Sequence, residues 1–160
     1  MYQKIMVPLD GSELAECVLP HVETIARGSE TKNVIFVRVL EPLYFPAGES
    51  ADWSGITREQ TDTEKKLEAE RQTAAESYLN RLASRVDCGS ARIQTELLTG
   101  KAAETLTDYA VKNKVDLVII ATHGRSGVSR WARGSVADRV LHSAGVPVLM
   151  VRAPGCTPHA

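Results

Sequence analysis

The strongest constraint on the fold is the regular alternation of short apolar runs with longer amphipathic stretches along the 160 residues. Continuous apolar runs are typical of strands covered on both faces, whereas apolar residues three and four positions apart are typical of helices. This alternation predicts a doubly wound α/β fold, in which helices cover both faces of a parallel sheet in the strand order 3-2-1-4-5. The predicted strands are residues 4–9, 34–40, 91–98, 117–121 and 146–151.

Four helices are predicted between the strands. The first begins at Ser12, and we expect a bend at Pro20, because a proline inside a helix removes one backbone hydrogen bond. The others span residues 58–86, 101–113 and 135 to near Gly145, and the apolar face predicted for the last contains Val136 and Val140. The longest helix carries an apolar stripe that we expect in the core: Leu67, Ala74, Ala75, Tyr78, Leu79, Leu82 and Val86.

Composition excludes several classes of function. The mass of 17.4 kDa fits one domain, and a net charge of −1 without a basic cluster gives no reason to expect nucleic acid. No segment approaches the roughly 20 apolar residues of a membrane span, and the first ten residues lack a signal peptide's apolar core. A cytoplasmic protein is therefore expected. Cys17, Cys88 and Cys156 are expected to be free thiols, and no metal site is predicted.

The segment after the fourth strand carries the main functional signal. Glycines there allow close approach of backbone N–H groups to a ligand, arginines add positive charge, and a helix then starts at Ser135. This combination predicts a phosphate site. Alternatively, Ser135 and Asp138 form a capping box, and the loop residues serve only turns and solvent. The loop residues are Gly124, Arg125, Gly127, Arg130, Arg133 and Gly134.

The spacing of these residues resembles the universal stress protein family. Its nucleotide signature is a glycine, two residues, a glycine, nine residues, and then Gly-Ser or Gly-Thr. Here Gly124 is followed by nine residues and then Gly134-Ser135, while Ala121 replaces the first glycine. Further similarity lies in the segments KIMVPLDGSELAE, VIFVRVLEP, LLTGKAAETL and VPVLMVR.

The resemblance implies an adenine nucleotide alpha hydrolase-like fold that binds ATP, ADP or AMP, with Mg²⁺ possible beside the nucleotide. In doubly wound sheets the ligand lies at the carboxyl ends of the strands where the winding reverses, here between strands one and four. Pro8 and Asp10 would border the adenosine, and the backbone of Val39 would reach the adenine edge. Alternatively, Asp10 only forms a turn. The ribose and phosphate set would comprise Ala121, His123, Gly124, Arg125, Gly127, Gly134, Ser135 and Val136, although His123 is equally compatible with a backbone contact.

The expected function is a stress-response protein that binds an adenine nucleotide in a regulatory or protective role, with a domain at 1–152 and a Pro/Gly tail at 153–160. Two alternatives remain: a slow ATPase or autophosphorylating protein, and a dimeric interaction protein that binds no nucleotide. No catalytic residue is assigned. A homodimer through the last strand is expected, because its apolar residues lie at a sheet edge. For the loop at 42–57 we expect one of two roles: it covers the site, or it only packs on the domain.

Overall fold

The computed structural model describes residues 1–43, 58–122 and 136–152, with the side chains of 58–62 left out. The described residues form a five-stranded parallel sheet in the order β3-β2-β1-β4-β5, which confirms the predicted topology. The strands are β1 (Lys4–Pro8), β2 (Asn33–Leu40), β3 (Arg92–Thr99), β4 (Leu117–Ala121) and β5 (Val148–Val151). The α-helices are α1 (Leu19–Gly28), α2 (Arg58–Arg85), α3 (Ala102–Lys112) and α4 (Val136–Ser143).

Each face of the sheet buries its own apolar cluster, because successive side chains of a strand point to opposite faces. Ile5 and Val7 of β1 face the layer that contains α1 and α2, whereas Met6 faces α3 and α4. The central strand is therefore buried on both sides, as its continuous apolar run predicts. Strand β3 forms one edge of the sheet, as the predicted strand order requires, and is partly exposed along most of its length.

The bend expected at Pro20 is absent, because the chain forms two consecutive helices there. A 3-10 helix covers Ala15–Val18, and α1 begins at Leu19 with Pro20 in its first turn. The first N–H groups of an α-helix have no partner within the helix, so proline loses nothing at that position. Pro20 therefore marks a helix start.

The apolar stripe of α2 is shorter than predicted. Ala75, Tyr78, Leu79 and Leu82 are buried, but Leu67 is 43% exposed. Ala74 is also exposed. Only the carboxyl-terminal part of this 28-residue helix lies on the sheet, so regular spacing extends beyond the surface that it can bury.

The buried face of α4 also differs from the prediction by one position. Ala137 and Val140 are buried, with Ala144 just beyond the helix, whereas Val136 is 39% exposed. Positions 137, 140 and 144 share one face of the helix at helical spacing, and position 136 lies beside that face. Val136 thus faces away from the core.

Several expectations fall on residues outside the described ranges. These are the cover at 44–57, the loop at 123–135, and the tail at 153–160 with Cys156. Cys17 and Cys88 are free thiols, and burial raises the pKa of Cys88 to about 11. Within the described part of the chain, no helix is long and apolar enough to cross a membrane. The same residues contain no cluster of three or more side chains suited to a metal ion.

Gly100 provides a test of how the carboxyl end of β3 is joined to α3. Its φ is +144°, and a Cβ there would lie 2.5 Å from Thr105 Oγ1. We predict that Gly100→Ala lowers the free energy of unfolding by about 2 kcal/mol, measured by urea denaturation. Adding Thr105→Ala should recover part of this loss. The control Gly28→Ala should be neutral or stabilising, because a Cβ at Gly28 meets no atom within 4 Å; equal effects of the two alanines would contradict the explanation.

Candidate functional site

The backbone pairing between β1 and β4 is short. Their pairing register covers only Ile5 with Leu117 and Met6 with Val118. On the other side of β1, pairing with β2 continues through Pro8, and the N–H of Leu9 still donates to the carbonyl of Val37 at 2.8 Å. The hydrogen-bonded ladder between β1 and β4 therefore stops before the carboxyl ends of these strands, at the reversal of winding, where ligand crevices of doubly wound sheets occur.

Pro8 gives a chemical reason for this separation. The backbone groups of successive residues in a strand point to alternate neighbours, and Leu9 donates to β2. The groups of residue 8 consequently face β4. Proline has no N–H, so the ladder between β1 and β4 cannot continue at this position. Pro8 is buried, and its predicted place at the border of the site agrees with its position in the fold.

The backbone N–H and C=O of Val39 lie near the carboxyl end of β2, at the same end of the sheet as Pro8. Val37 faces β1, as the bond from Leu9 shows, and Leu40 faces β3, since its carbonyl accepts the N–H of Gly100 at 3.1 Å. By alternation, the N–H and C=O of Val39 face the side of β1, beyond the last residue that β1 pairs with β2. No hydrogen bond among the described residues engages either group. Its side chain packs on the α3–α4 face.

Asp10 forms a turn at the end of β1. Its Oδ1 accepts the backbone N–H of Ser12 at 2.9 Å and the hydroxyl of Ser12 at 2.6 Å. The hydroxyl oxygen of Ser12 in turn accepts the N–H of Ala15 at 3.2 Å, which connects the turn to the 3-10 helix. The turn-forming alternative for Asp10 is therefore observed. A contact between Asp10 and a ligand stays a prediction, and the turn places the residue at the carboxyl end of β1.

The β4 side of the crevice is described only at its borders. Ala121, the last residue of β4, is partly buried, and the N–H of Thr122 donates to the carbonyl of Val151 at 2.9 Å. Val136 begins α4 and is accessible. Because the strands are parallel, the carboxyl ends of β1, β2 and β4 lie at the same end of the sheet. These ends carry Pro8, Asp10, Val39 and Ala121. The remaining predicted residues, His123, Gly124, Arg125, Gly127, Gly134 and Ser135, lie outside the described ranges.

Arg38 is a part of this region to which the sequence analysis assigned no role. A Cβ at Gly11 would lie 2.8 Å from Arg38 Cζ and within 2.9 Å of both terminal nitrogens, so the guanidinium occupies the space beside the turn. Cζ also lies 5.5 Å from the centre of the Tyr78 ring of α2. The available signal was a lone charged residue inside the apolar run of β2. A charge in such a run requires a specific environment.

The hydroxyl of Tyr78 is buried and has no hydrogen-bond partner among the described residues. Burial raises the pKa of Tyr78 well above its ordinary value, and the nearby charges of Glu16 and Asp10 raise it further, while Arg38 opposes them. Glu16 is itself paired with Arg85, at 2.6 Å between the carboxylate oxygen and the guanidinium nitrogen. The phenol therefore stays protonated at neutral pH.

The fold defines a doubly wound α/β domain, and the candidate site lies at the switch point of its sheet. The model of the universal stress protein family matches residues 1–152. The universal stress protein MJ0531 of Methanocaldococcus jannaschii is 31% identical over 156 residues, which cover 96% of this chain and 84% of that protein. The chain belongs to the universal stress protein family.

Solved structures agree with this fold. The universal stress protein UspA of Lactobacillus plantarum has a TM-score of 0.76 and 23% identity, and the match covers 94% of this chain and 98% of that chain. A universal stress protein in complex with cAMP has a TM-score of 0.57 and 24% identity, with 95% and 98% covered. A family protein of Arabidopsis thaliana with AMP bound has a TM-score of 0.57 and 15% identity, with 96% and 93% covered.

The unpartnered hydroxyl of Tyr78 leads to a prediction about pH. Because the folded-state pKa is raised, stability is full below the unfolded pKa of about 10 and is lost as pH rises above it. We predict that Tyr78→Phe leaves stability at pH 7 unchanged or slightly higher, since no hydrogen bond is lost, and reduces the loss of stability above pH 10. Urea denaturation from pH 7 to 11 measures both effects. A large destabilisation at pH 7 would show that the hydroxyl is bonded.

Proposed function

We propose that this protein binds an adenine nucleotide in the crevice between β1 and β4 and acts as a regulatory or protective binding protein in the stress response. The observation that carries the proposal is the position of the N–H and C=O of Val39, which face the end of β1 and have no hydrogen-bond partner within residues 1–43, 58–122 and 136–152. Unpaired backbone groups beside a crevice are suited to a planar ligand with a complementary edge. Adenine has such an edge.

The edge of adenine and the backbone of Val39 match at two hydrogen-bonding positions. Adenine presents an amino donor beside a ring-nitrogen acceptor, which matches one backbone C=O and one backbone N–H. Guanine presents a carbonyl oxygen in place of the amino group, so its acceptor would face the C=O of Val39. The backbone of Val39 therefore suits adenine and disfavours guanine. The family members with cAMP and AMP support an adenine ligand here as well.

The sugar and phosphates would extend from Val39 past Asp10 toward β4 and the start of α4. At that end the predicted partners are Gly124, Gly134 and Ser135, and backbone N–H groups at the start of a helix favour an anion. Mg²⁺ would reduce the charge of a polyphosphate beside the carboxylate of Asp10. This arrangement favours binding over turnover, because Oδ1 of Asp10 already accepts two hydrogen bonds from Ser12.

We predict selective binding of ATP over GTP by about 10- to 100-fold, measured by isothermal titration calorimetry in the presence of Mg²⁺. Val39→Pro should weaken ATP binding about tenfold, because proline removes an N–H that no strand uses. The ratio of the affinities for ATP and GTP should therefore decrease. The matched control Val39→Ala keeps both backbone groups and should retain selectivity. Equal affinities of the wild type for the two nucleotides, or full affinity in a folded Val39→Pro variant, would contradict recognition by Val39.

A second variant tests the phosphate end independently of the base. Gly124→Val should abolish measurable binding of ATP, because a branched side chain would occupy the space of the phosphates, while Ala121→Gly should bind as well as the wild type or better. Full ATP affinity in a folded Gly124→Val variant would remove this loop from the site.

We also propose a homodimer through the free edge of β5. Val148, Leu149 and Met150 are only partly buried, and β5 pairs with β4 on one side alone. An apolar edge without protective charges favours pairing with a second copy about a twofold axis. Antiparallel pairing would satisfy the free backbone groups.

Sedimentation equilibrium at micromolar concentration tests the dimer. The wild type is expected at twice the 17.4 kDa monomer mass, and Leu149→Asp at the monomer mass, because a carboxylate would be buried in the seam. Val111→Asp is the matched control, since Val111 is an apolar residue of α3 that is 65% exposed and lies outside β5. A monomeric wild type, or a dimeric Leu149→Asp variant, would contradict the proposal.

A further inference from the structure

Gly11 and Arg38 fit each other because position 11 has no side chain. Three guanidinium atoms of Arg38 lie 2.8 to 2.9 Å from where a Cβ of Gly11 would stand, and Gly11 has a φ of +85°. Glycine adopts this backbone conformation without strain and leaves room for the planar guanidinium. The turn that begins at Asp10 therefore lies directly against the end of the Arg38 side chain.

Tyr78 supports the same guanidinium from α2. The Cζ of Arg38 lies 5.5 Å from the ring centre, a distance at which the ring attracts a cation. The ring of Tyr78 faces the guanidinium of Arg38, while its buried hydroxyl lies beside Glu16. Tyr78 is held in place by the apolar cluster that also contains Leu79 and Leu82.

The charges around Tyr78 fit this arrangement. Burial raises the pKa of Tyr78, the charges of Glu16 and Asp10 raise it further, and the charge of Arg38, which lies 5.5 Å from the ring centre, lowers it. Glu16 is paired with Arg85 at the carboxyl end of α2. A guanidinium in a partly buried region with carboxylates nearby gains from their charge and from the ring together. Loss of this cation would leave the turn without the group that it contacts.

We propose that Arg38 is a positioning residue, which holds the Asp10–Gly11–Ser12 turn against Tyr78 and so fixes the carboxylate of Asp10 at the border of the crevice. The inference rests on the proposed function, because the crevice is where the nucleotide is proposed to bind. It adds a link between that site and α2. A ligand that contacts Asp10 would stabilise the Arg38–Tyr78 contact, and this contact would raise the affinity for the ligand by the same factor.

The turn is tested first without any ligand, by amide hydrogen exchange in NMR spectra. The N–H of Ser12 and the N–H of Ala15 donate within the turn, so their exchange reports its stability. Arg38→Met should speed exchange of both amides by about three- to tenfold and leave the core amide of Val118 unchanged. Arg38→Lys keeps the charge and loses the planar guanidinium, so it should increase the exchange rates of these amides by a smaller factor. Unchanged exchange at Ser12 in Arg38→Met would overturn the proposal.

The link to the ligand is tested by a double-mutant cycle on ATP affinity. Asp10→Asn keeps the oxygen that accepts from Ser12 and removes the charge. Arg38→Met should weaken ATP binding about three- to tenfold in the wild type and have little further effect when Asp10→Asn is present, because Arg38 acts through Asp10. The matched control Arg92→Met changes an exposed arginine at the opposite end of the sheet and should leave affinity unchanged.

The outcomes separate the two proposals. Additive effects of Arg38→Met and Asp10→Asn on ATP affinity would overturn the positioning role, since a general loss of order would act independently of Asp10. Full ATP affinity in a folded Arg38→Met variant would overturn it as well. If the wild type binds no adenine nucleotide, the proposed function fails together with the positioning role toward a ligand, and the exchange experiment still decides whether Arg38 holds the turn.

Discussion

The termination of backbone pairing between β1 and β4 is the constraint on which the rest of this site depends. A parallel sheet that stayed paired to its carboxyl end would leave no space between its central strands. Here the register ends at Met6 and Val118, and Pro8 provides no N–H to extend it. The reversal of winding places helices on opposite faces at this point, so the opening is not covered by a crossover helix. Pro8 and Ala121, at the carboxyl ends of β1 and β4, border this point.

Backbone geometry then determines what the opening presents. The alternation along β2 turns the N–H and C=O of Val39 toward the end of β1, and the alternation along β1 turns Leu9 toward β2 and Pro8 toward β4. These orientations require no particular side chain at position 39. A site built in this way recognises a ligand edge by backbone groups and uses side chains such as Asp10 for the neighbouring part of the ligand.

The sequence was sufficient for the topology, because alternating apolar runs of strand and helix length restrict the arrangement of a parallel sheet. It was insufficient wherever the answer depended on which surface a helix covers. Leu67 continues the stripe of α2 beyond the sheet, and Val136 lies next to the buried face of α4. Pro20 was predicted as a bend because a helix boundary within a continuous amphipathic pattern has no distinct signal. The spacing of apolar residues predicts a helix, but it does not predict which surfaces pack against that helix.

For the site, the family resemblance implied Pro8, Asp10 and Val39, and the position of Asp10 at a strand end agreed with it. The contact of Arg38 with Gly11 and Tyr78 joins three segments that only the fold brings together. The most direct measurement of the central claim is the backbone amide signal of Val39 in ¹⁵N-labelled protein titrated with AMP. A new hydrogen bond should shift this signal downfield and slow its exchange with solvent. An unchanged Val39 amide at saturating AMP would contradict recognition of adenine by this strand.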